Sequence, residues 1–263
     1  MRRLIFFLIH FLLILVSIGI CGFASLLHAQ EEIPVGTVIA IVLDHALDSR
    51  KSRPGQSVVA RIAQEVPLED KRVIRVQAKV FGKITEVENG LGQAKLGLRF
   101  DRLELGKAEI AISARIRALA SALDVGSAKV TSTANDQYVR GSETTVQIGE
   151  EAVVYRGGGT VQNEMGEVVG KPVYGGVLAT VINKAGSPCD GMPVSKTPQA
   201  VWLFSPGACG VYGFRGLQFE NRTNAKAGEI LFTRKNKKEW KQTEIDLPIG
   251  SAMLLAITGV TGR

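Results

Sequence analysis

Cys189 and Cys209 are the residues whose chemistry the sequence constrains most, because Cys21 is the only other thiol in the chain and lies in an N-terminal apolar segment. In an oxidising compartment an even pair reads as a disulfide, and closing a loop of about 20 residues stabilises a fold by roughly 3 kcal/mol. Turn residues flank both, Pro188 and Asp190-Gly191 at one and Gly207-Ala208 and Gly210 at the other. Two free thiols are the alternative; a redox-active pair would need a spacing near Cys-x-x-Cys. Asp44-His45 with Asp48 has the makings of a general base oriented by a carboxylate. It lacks a nucleophile, since neither Gly-x-Ser-x-Gly nor Ser-x-x-Lys occurs, and His45 then reads as a polar residue at a strand end. The other histidines, His10 and His28, fall in the N-terminal segment. A His/Cys zinc site and two-histidine catalysis are excluded, and no metal or cofactor is expected. Arg156-Gly157-Gly158-Gly159-Thr160 is glycine-rich but lacks the Gly-Lys-Ser/Thr ending of a phosphate loop, so it reads as a flexible loop.

The strongest local charge cluster is Arg234, Lys235, Lys237 and Lys238, with Trp240 just beyond. Between two strands, such a run most simply forms a solvated hairpin tip. The alternative is contact with an anionic surface, either lipid or cell-wall polymer, where each charge contributes about 1 kcal/mol. Nucleic acid is not expected, because no helix or zinc module accompanies the patch. Trp202, Phe204, Tyr212 and Phe214 interleave with Gly and Ser; core packing accounts for them, and an exposed aromatic face could bind carbohydrate.

These residues need a scaffold, and the composition supports one: 45% hydrophobic, 22% charged and 6% aromatic residues describe an ordinary folded chain rather than a disordered one. Its formal charge of +7 is a mild basic excess. Arg2-Arg3, an apolar run from Leu4 to Leu27 and Ala29 have the layout of a secretory signal peptide over residues 1–29. The run also exceeds the roughly 20 residues a helix needs to cross a bilayer, so residues 4–27 could instead anchor the protein in the inner membrane. Either way the body is exported. From Val35 the periodicity is that of strands. Val35 to Leu43 is apolar on both faces, which suits a strand buried on two sides. Ile74, Val76, Ala78, Val80, Gly82 and Ile84 alternate with polar residues, and the phase slips near Thr85, which predicts a β-bulge. Asn89-Gly90-Leu91-Gly92 is a turn, followed by alternation through Leu96 to Phe100 and Ile110 to Ile116. Residues 33–118 therefore form an N-terminal β domain. Residues 119–199 read as a flexible Gly/Ser-rich insertion, and 200–263 as a C-terminal β segment completing the same barrel. The fold class is all-β, an antiparallel sheet closing into a barrel or sandwich after an N-terminal apolar helix. Ile33-Pro34-Val35-Gly36-Thr37 and Leu247-Pro248-Ile249-Gly250-Ser251 share a pattern, either a recurring turn that opens a strand or two equivalent edges of a closed barrel.

The order of Ile33 to Thr37, Pro54-Gly55, Val66, Val73-Ile74, then Val80-Phe81-Gly82-Lys83-Ile84-Thr85-Glu86-Val87 and Leu96-Gly97-Leu98-Arg99-Phe100-Asp101-Arg102-Leu103-Glu104-Leu105 resembles the first strands of the TrbI-type β-barrel domain of type IV secretion and conjugation proteins. The resemblance implies an exported β-barrel-like domain and, as one alternative, a place in a secretion or conjugation assembly. The function expected is structural or binding, a periplasmic scaffold or interaction module with other envelope proteins, anionic lipid or cell-wall polymer as partners. It is not expected to be an enzyme; the competing reading is a periplasmic hydrolase with an unidentified active site.

Overall fold

In the computed structural model the described residues are 32–129, 143–145, 147–149, 153–155, 160–222, 228–236, 238 and 240–259. The signal or anchor segment 1–29 lies outside them, as does Lys237. The first half contributes β1 (Val38–Leu43), β2 (Leu47–Asp48), β3 (Ser57–Ile62), β4 (Val66–Pro67), β5 (Val73–Ile74), β6 (Lys79–Asn89), β7 (Gln93–Leu105), β8 (Ala108–Ala111) and β9 (Ser113–Ala120). A helix, α1, covers residues 122–129. Short strands follow: β10 (Glu143–Thr145), β11 (Val153–Tyr155), β12 (Val161–Asn163), β13 (Val168–Val173), β14 (Gly176–Ala179) and β15 (Gln199–Ala200). The chain ends in β16 (Gly210–Tyr212), β17 (Leu217–Arg222), β18 (Glu229–Lys235), β19 (Asp246–Leu247) and β20 (Ala252–Gly259).

The main sheet runs β16-β9-β20-β1-β3-β6-β7-β18-β17, with β8 paired to β7, and curls into a nearly closed barrel. Every pair is antiparallel except β16 with β9. Inward side chains fill the interior: Ile39, Ile41, Leu96, Leu98, Phe100 and Phe232 are at most 1% exposed, so the barrel holds a packed core and no lumen. The β6–β7 ladder slips between Ile84 and Glu86, as the phase change at Thr85 predicts. Two readings of continuous strands are corrected. The run from Arg72 to Ile84 breaks into β5 and β6, because Gln77 takes a left-handed backbone conformation (φ 70°) that no alternation pattern reveals. The run from Ile110 to Ile116 divides at Ile112, where the chain leaves its pairing with β7 and crosses to β20.

The shared Pro-x-Gly pattern has a structural meaning. Thr37 N–H donates to Pro34 O (3.1 Å) and Ser251 N–H to Pro248 O (3.0 Å), with Gly36 and Gly250 at φ 86° and 84°. The two turns open β1 and β20, which lie side by side. Gly36 N–H donates to Ile257 O and Gly250 N–H to Leu43 O; Ile257 N–H donates to Thr37 O and Leu43 N–H to Ser251 O. The pair is thus related by a local two-fold, and the repeats are equivalent strand-opening turns within the sheet rather than two edges. Glycine is needed there because a β-carbon disfavours positive φ.

β1, β9 and β20 are buried on both faces, as the doubly apolar pattern predicts for β1, although that strand starts at Val38 and Val35 is exposed. Outward pairs such as Val38 with Ala256 and Val42 with Ala252 match one branched side chain to one alanine. A second layer fits over this small-residue face: a six-stranded meander of β10 to β15, joined by α1. The stretch 119–199, expected to be a flexible insertion, therefore holds this helix and sheet among its described residues. Its strands are short, and the β12–β13 register slips at Val161, so no sustained period marks them in the sequence. Two buried glutamines fasten the layers. Gln199 Oε1 accepts Val38 N–H (3.0 Å); the Gln64 amide donates to Val177 O (2.6 Å) and its oxygen accepts Trp202 N–H. Residues 32–263 form a single unit.

Candidate functional site

The basic cluster reaches one end of the barrel. There the loop after β18 lies across the β6–β7 turn: Asn236 N–H donates to Gly92 O (2.8 Å), Gly92 N–H to Lys241 O (3.0 Å) and Thr243 N–H to Gly90 O (3.0 Å). Leu91 bridges Gln242, two residues from Trp240. Leu91 is 66% and Trp240 73% exposed, an apolar and an aromatic side chain presented to solvent on backbone that is hydrogen-bonded to the barrel. Lys235, Lys238 and Lys241 are exposed around them, with Lys238 Nζ 5.7 Å from the Trp240 ring centroid. Of the cluster residues, Lys235 and Lys238 belong to this tip. Arg234 does not: it is half-buried and donates to Glu244 O (3.1 Å). Leu91 was missed because turns are read for their glycines; a large aliphatic residue between two glycines is the signal that marks it.

The Asp44, His45 and Asp48 set does not assemble as a general base. Arg61 Nε donates to Asp44 (2.9 Å), and Arg50 holds Asp48 through two hydrogen bonds of 2.9 and 2.8 Å. The Arg50 hydrogen bonds hold the Asp48 carboxyl down to about pKa 2, so it stays ionised. His45 is exposed beside them.

Asp44 and Arg61 instead form part of an open cleft of about 680 Å³ between the outer barrel wall, α1 and the β13–β14 turn. Gln77, Lys129, Tyr174 and Trp202 also line it, over an apolar floor that includes Val42 and Val76. Arg61 Nη1 donates to Gln77 Oε1 (3.3 Å), so carboxylate, guanidinium and amide form one chain of polar groups. Gln77 and Trp202 both have positive φ (70° and 47°), a conformation costing a side-chain-bearing residue about 1–2 kcal/mol. β15 ends at Ala200, and a turn carries Trp202 into the cleft. Buried Gln64 pins that turn. An alanine β-carbon at Gly176 would lie 2.9 Å from Trp202 Cα, so the close approach requires glycine. Of the other interleaved aromatics, Phe204 is fully buried, and the Tyr212 hydroxyl bonds the backbone of Cys209.

α1 went unread, although Ser121 and Asp124 carry its signature. Asp124 N–H donates to Ser121 Oγ (3.1 Å), and the Ser121 hydroxyl donates to the Asp124 carboxylate (2.8 Å), an N-cap with an acidic third position.

Cys189 and Cys209 form the expected disulfide, with Cα atoms 6.0 Å apart. The loop it closes is held from a second side. A slip in the β9–β20 register leaves Arg117 without a partner in that ladder, and its side chain, fully buried, donates to Asn183 Oδ1 (2.6 Å) and Ile182 O (2.9 Å). Asn183 donates in turn to Met192 O (2.8 Å). Burial lowers the Arg117 pKa to about 10, so the guanidinium remains charged at neutral pH.

Comparison of the chain with protein-family models, with curated proteins and with solved structures finds no significant match in any of the three.

Proposed function

We propose that the protein is an exported, non-enzymatic module of the cell envelope that works by binding, and that it rests on an anionic lipid surface through the tip at Leu91 and Trp240. The tip is the observation that carries this reading. Exposing an aliphatic and an indole side chain on an ordered turn is unfavourable in water, whereas an indole suits the bilayer interface. Lys235, Lys238 and Lys241 are exposed around the two side chains, and each cation near an anionic membrane contributes about 1 kcal/mol. A hydrated cell-wall polymer would satisfy the lysines but give Leu91 no apolar phase, which favours lipid. The basic, signal-like N-terminus supports export, with residues 4–27 either removed or anchoring the protein in the inner membrane. The likeness of residues 33–117 to TrbI-type strands fits a scaffold role, with other envelope proteins as partners.

The compartment has a direct test. A phosphatase reporter that is active only outside the cytoplasm, fused after Arg263, is expected to be active in cells. Full reporter expression without activity would refute export.

A further inference from the structure

We propose that the cleft between the barrel wall and the second layer is a saccharide-binding site, independent of the basic tip. Its volume of about 680 Å³ falls in the roughly 300–1,000 Å³ range of small-ligand sites. Two aromatic side chains line it, Trp202 and Tyr174, and Tyr174 is 78% exposed on the β13–β14 turn. Aromatic faces of this kind stack on the C–H face of a sugar ring.

The polar chain supplies the other half of the chemistry. Vicinal hydroxyls both donate and accept, and they are matched by a site offering an acceptor-only group, a donor-only group and a group that does both. Asp44, Arg61 and Gln77 are that set, and their hydrogen bonds to one another fix their planes before a ligand arrives. The ion pair between Asp44 and Arg61 largely cancels their charges. The site therefore suits a neutral saccharide rather than a polyanion.

Backbone strain points to the same place. Among the described residues, three non-glycine positions have positive φ, and two of them, Gln77 and Trp202, line this cleft; the third, Lys71, lies in the turn between β4 and β5. Strained positions persist where the surroundings over-determine them, and they cluster at binding sites. Here Gln64 and the close approach at Gly176 hold the Trp202 turn. Gln64 acts as a positioning residue and does not itself line the cleft.

The chain has two tryptophans, so a Trp240→Phe background leaves Trp202 as the only indole reporter. Fluorescence titration of the exported chain with cellotetraose, maltotetraose and tetra-N-acetylglucosamine is expected to shift Trp202 emission with at least one of them. Binding should weaken roughly tenfold or more in Tyr174→Ala and in Asp44→Asn, the loss expected for one ring or one charge-assisted hydrogen bond. Both residues are peripheral to the core, and unchanged melting would show that the fold is retained. A Gln64→Leu variant should lose binding and alter Trp202 emission in the free protein, as a positioning role requires. Three results would each overturn the proposal: no emission change with any of the sugars, binding unaffected by both Tyr174→Ala and Asp44→Asn, or equal binding of an extended tetraalanine peptide. None bears on the tip, whose lipid binding is measured separately.

Discussion

Replacing Asn221 with alanine should lower stability by about 2–4 kcal/mol, a large effect for one polar side chain in an edge strand. The main sheet closes at this residue. β9 and β17 share no backbone ladder, yet Asn221 Oδ1 accepts Ile116 N–H (2.8 Å) and Asn221 Nδ2 donates to Ile116 O (2.9 Å). A side-chain amide thus takes the place of a strand across the seam, while β16 pairs with the other half of β9. Alanine would leave both groups of a fully buried residue without partners, each costing about 1–3 kcal/mol. In a chain of this size the melting temperature should fall by about 5–15 °C. Asn221→Asp should be no better, because its carboxylate can accept from Ile116 N–H but faces Ile116 O with no proton to donate. Hydrogen exchange at the Ile116 amide should accelerate in both variants. A melting temperature within about 1 °C of the parent in both would show that the seam is closed by something else.

Changing Cys189 and Cys209 together to serine should cost a similar amount, about 2–4 kcal/mol, through the added freedom of the unfolded chain. The bridge spans a sequence separation of 20 and ties the loop after β14 to the residue before β16. Arg117 and Asn183 still hold that loop from below, so the variant should fold with β9 and β16 paired, melt about 5–15 °C lower and exchange faster at residues 183–192. Treating the parent with reductant should reproduce the shift. If reduction leaves the melting curve unchanged, Arg117 and Asn183 already supply the constraint assigned to the bridge.

The doubly apolar β1 and the alternating body of β7 are legible as strands, and the bulge at Thr85 is visible as a change of phase, but the longest clean alternation, Ile74 to Ile84, runs across the break at Gln77. The disulfide was legible from the even cysteine count, the turn residues beside each cysteine and the export expected from the N-terminus. Gln77 and Trp202 were not legible, because neither residue type signals a left-handed backbone; tertiary contacts impose it, through Gln64 at Trp202. The second layer was hidden for a different reason. Its strands are short, and much of its buried surface comes from alanines and valines that read as loop composition in 119–199. The seam could not be read at all, since Asn221 becomes a surrogate strand only when β9 arrives from 105 residues away. The tip was half legible: the lysines stand out as a run, while Leu91 joins them only through the backbone bonds of Gly90 and Gly92 to the 236–243 loop.

Lipid engagement by the tip is tested most directly by sedimenting residues 32–263 with vesicles of phosphatidylcholine alone or mixed with phosphatidylglycerol. The expected result is binding only to the anionic vesicles, weakened by raising salt to 1 M, where the screening length falls to about 3 Å. Binding should drop by roughly tenfold or more when Leu91 and Trp240 are both changed to serine, and again when Lys235, Lys238 and Lys241 are changed to glutamine. The proposed docking would be contradicted by failure to sediment with anionic vesicles, or by binding that neither set of changes reduces.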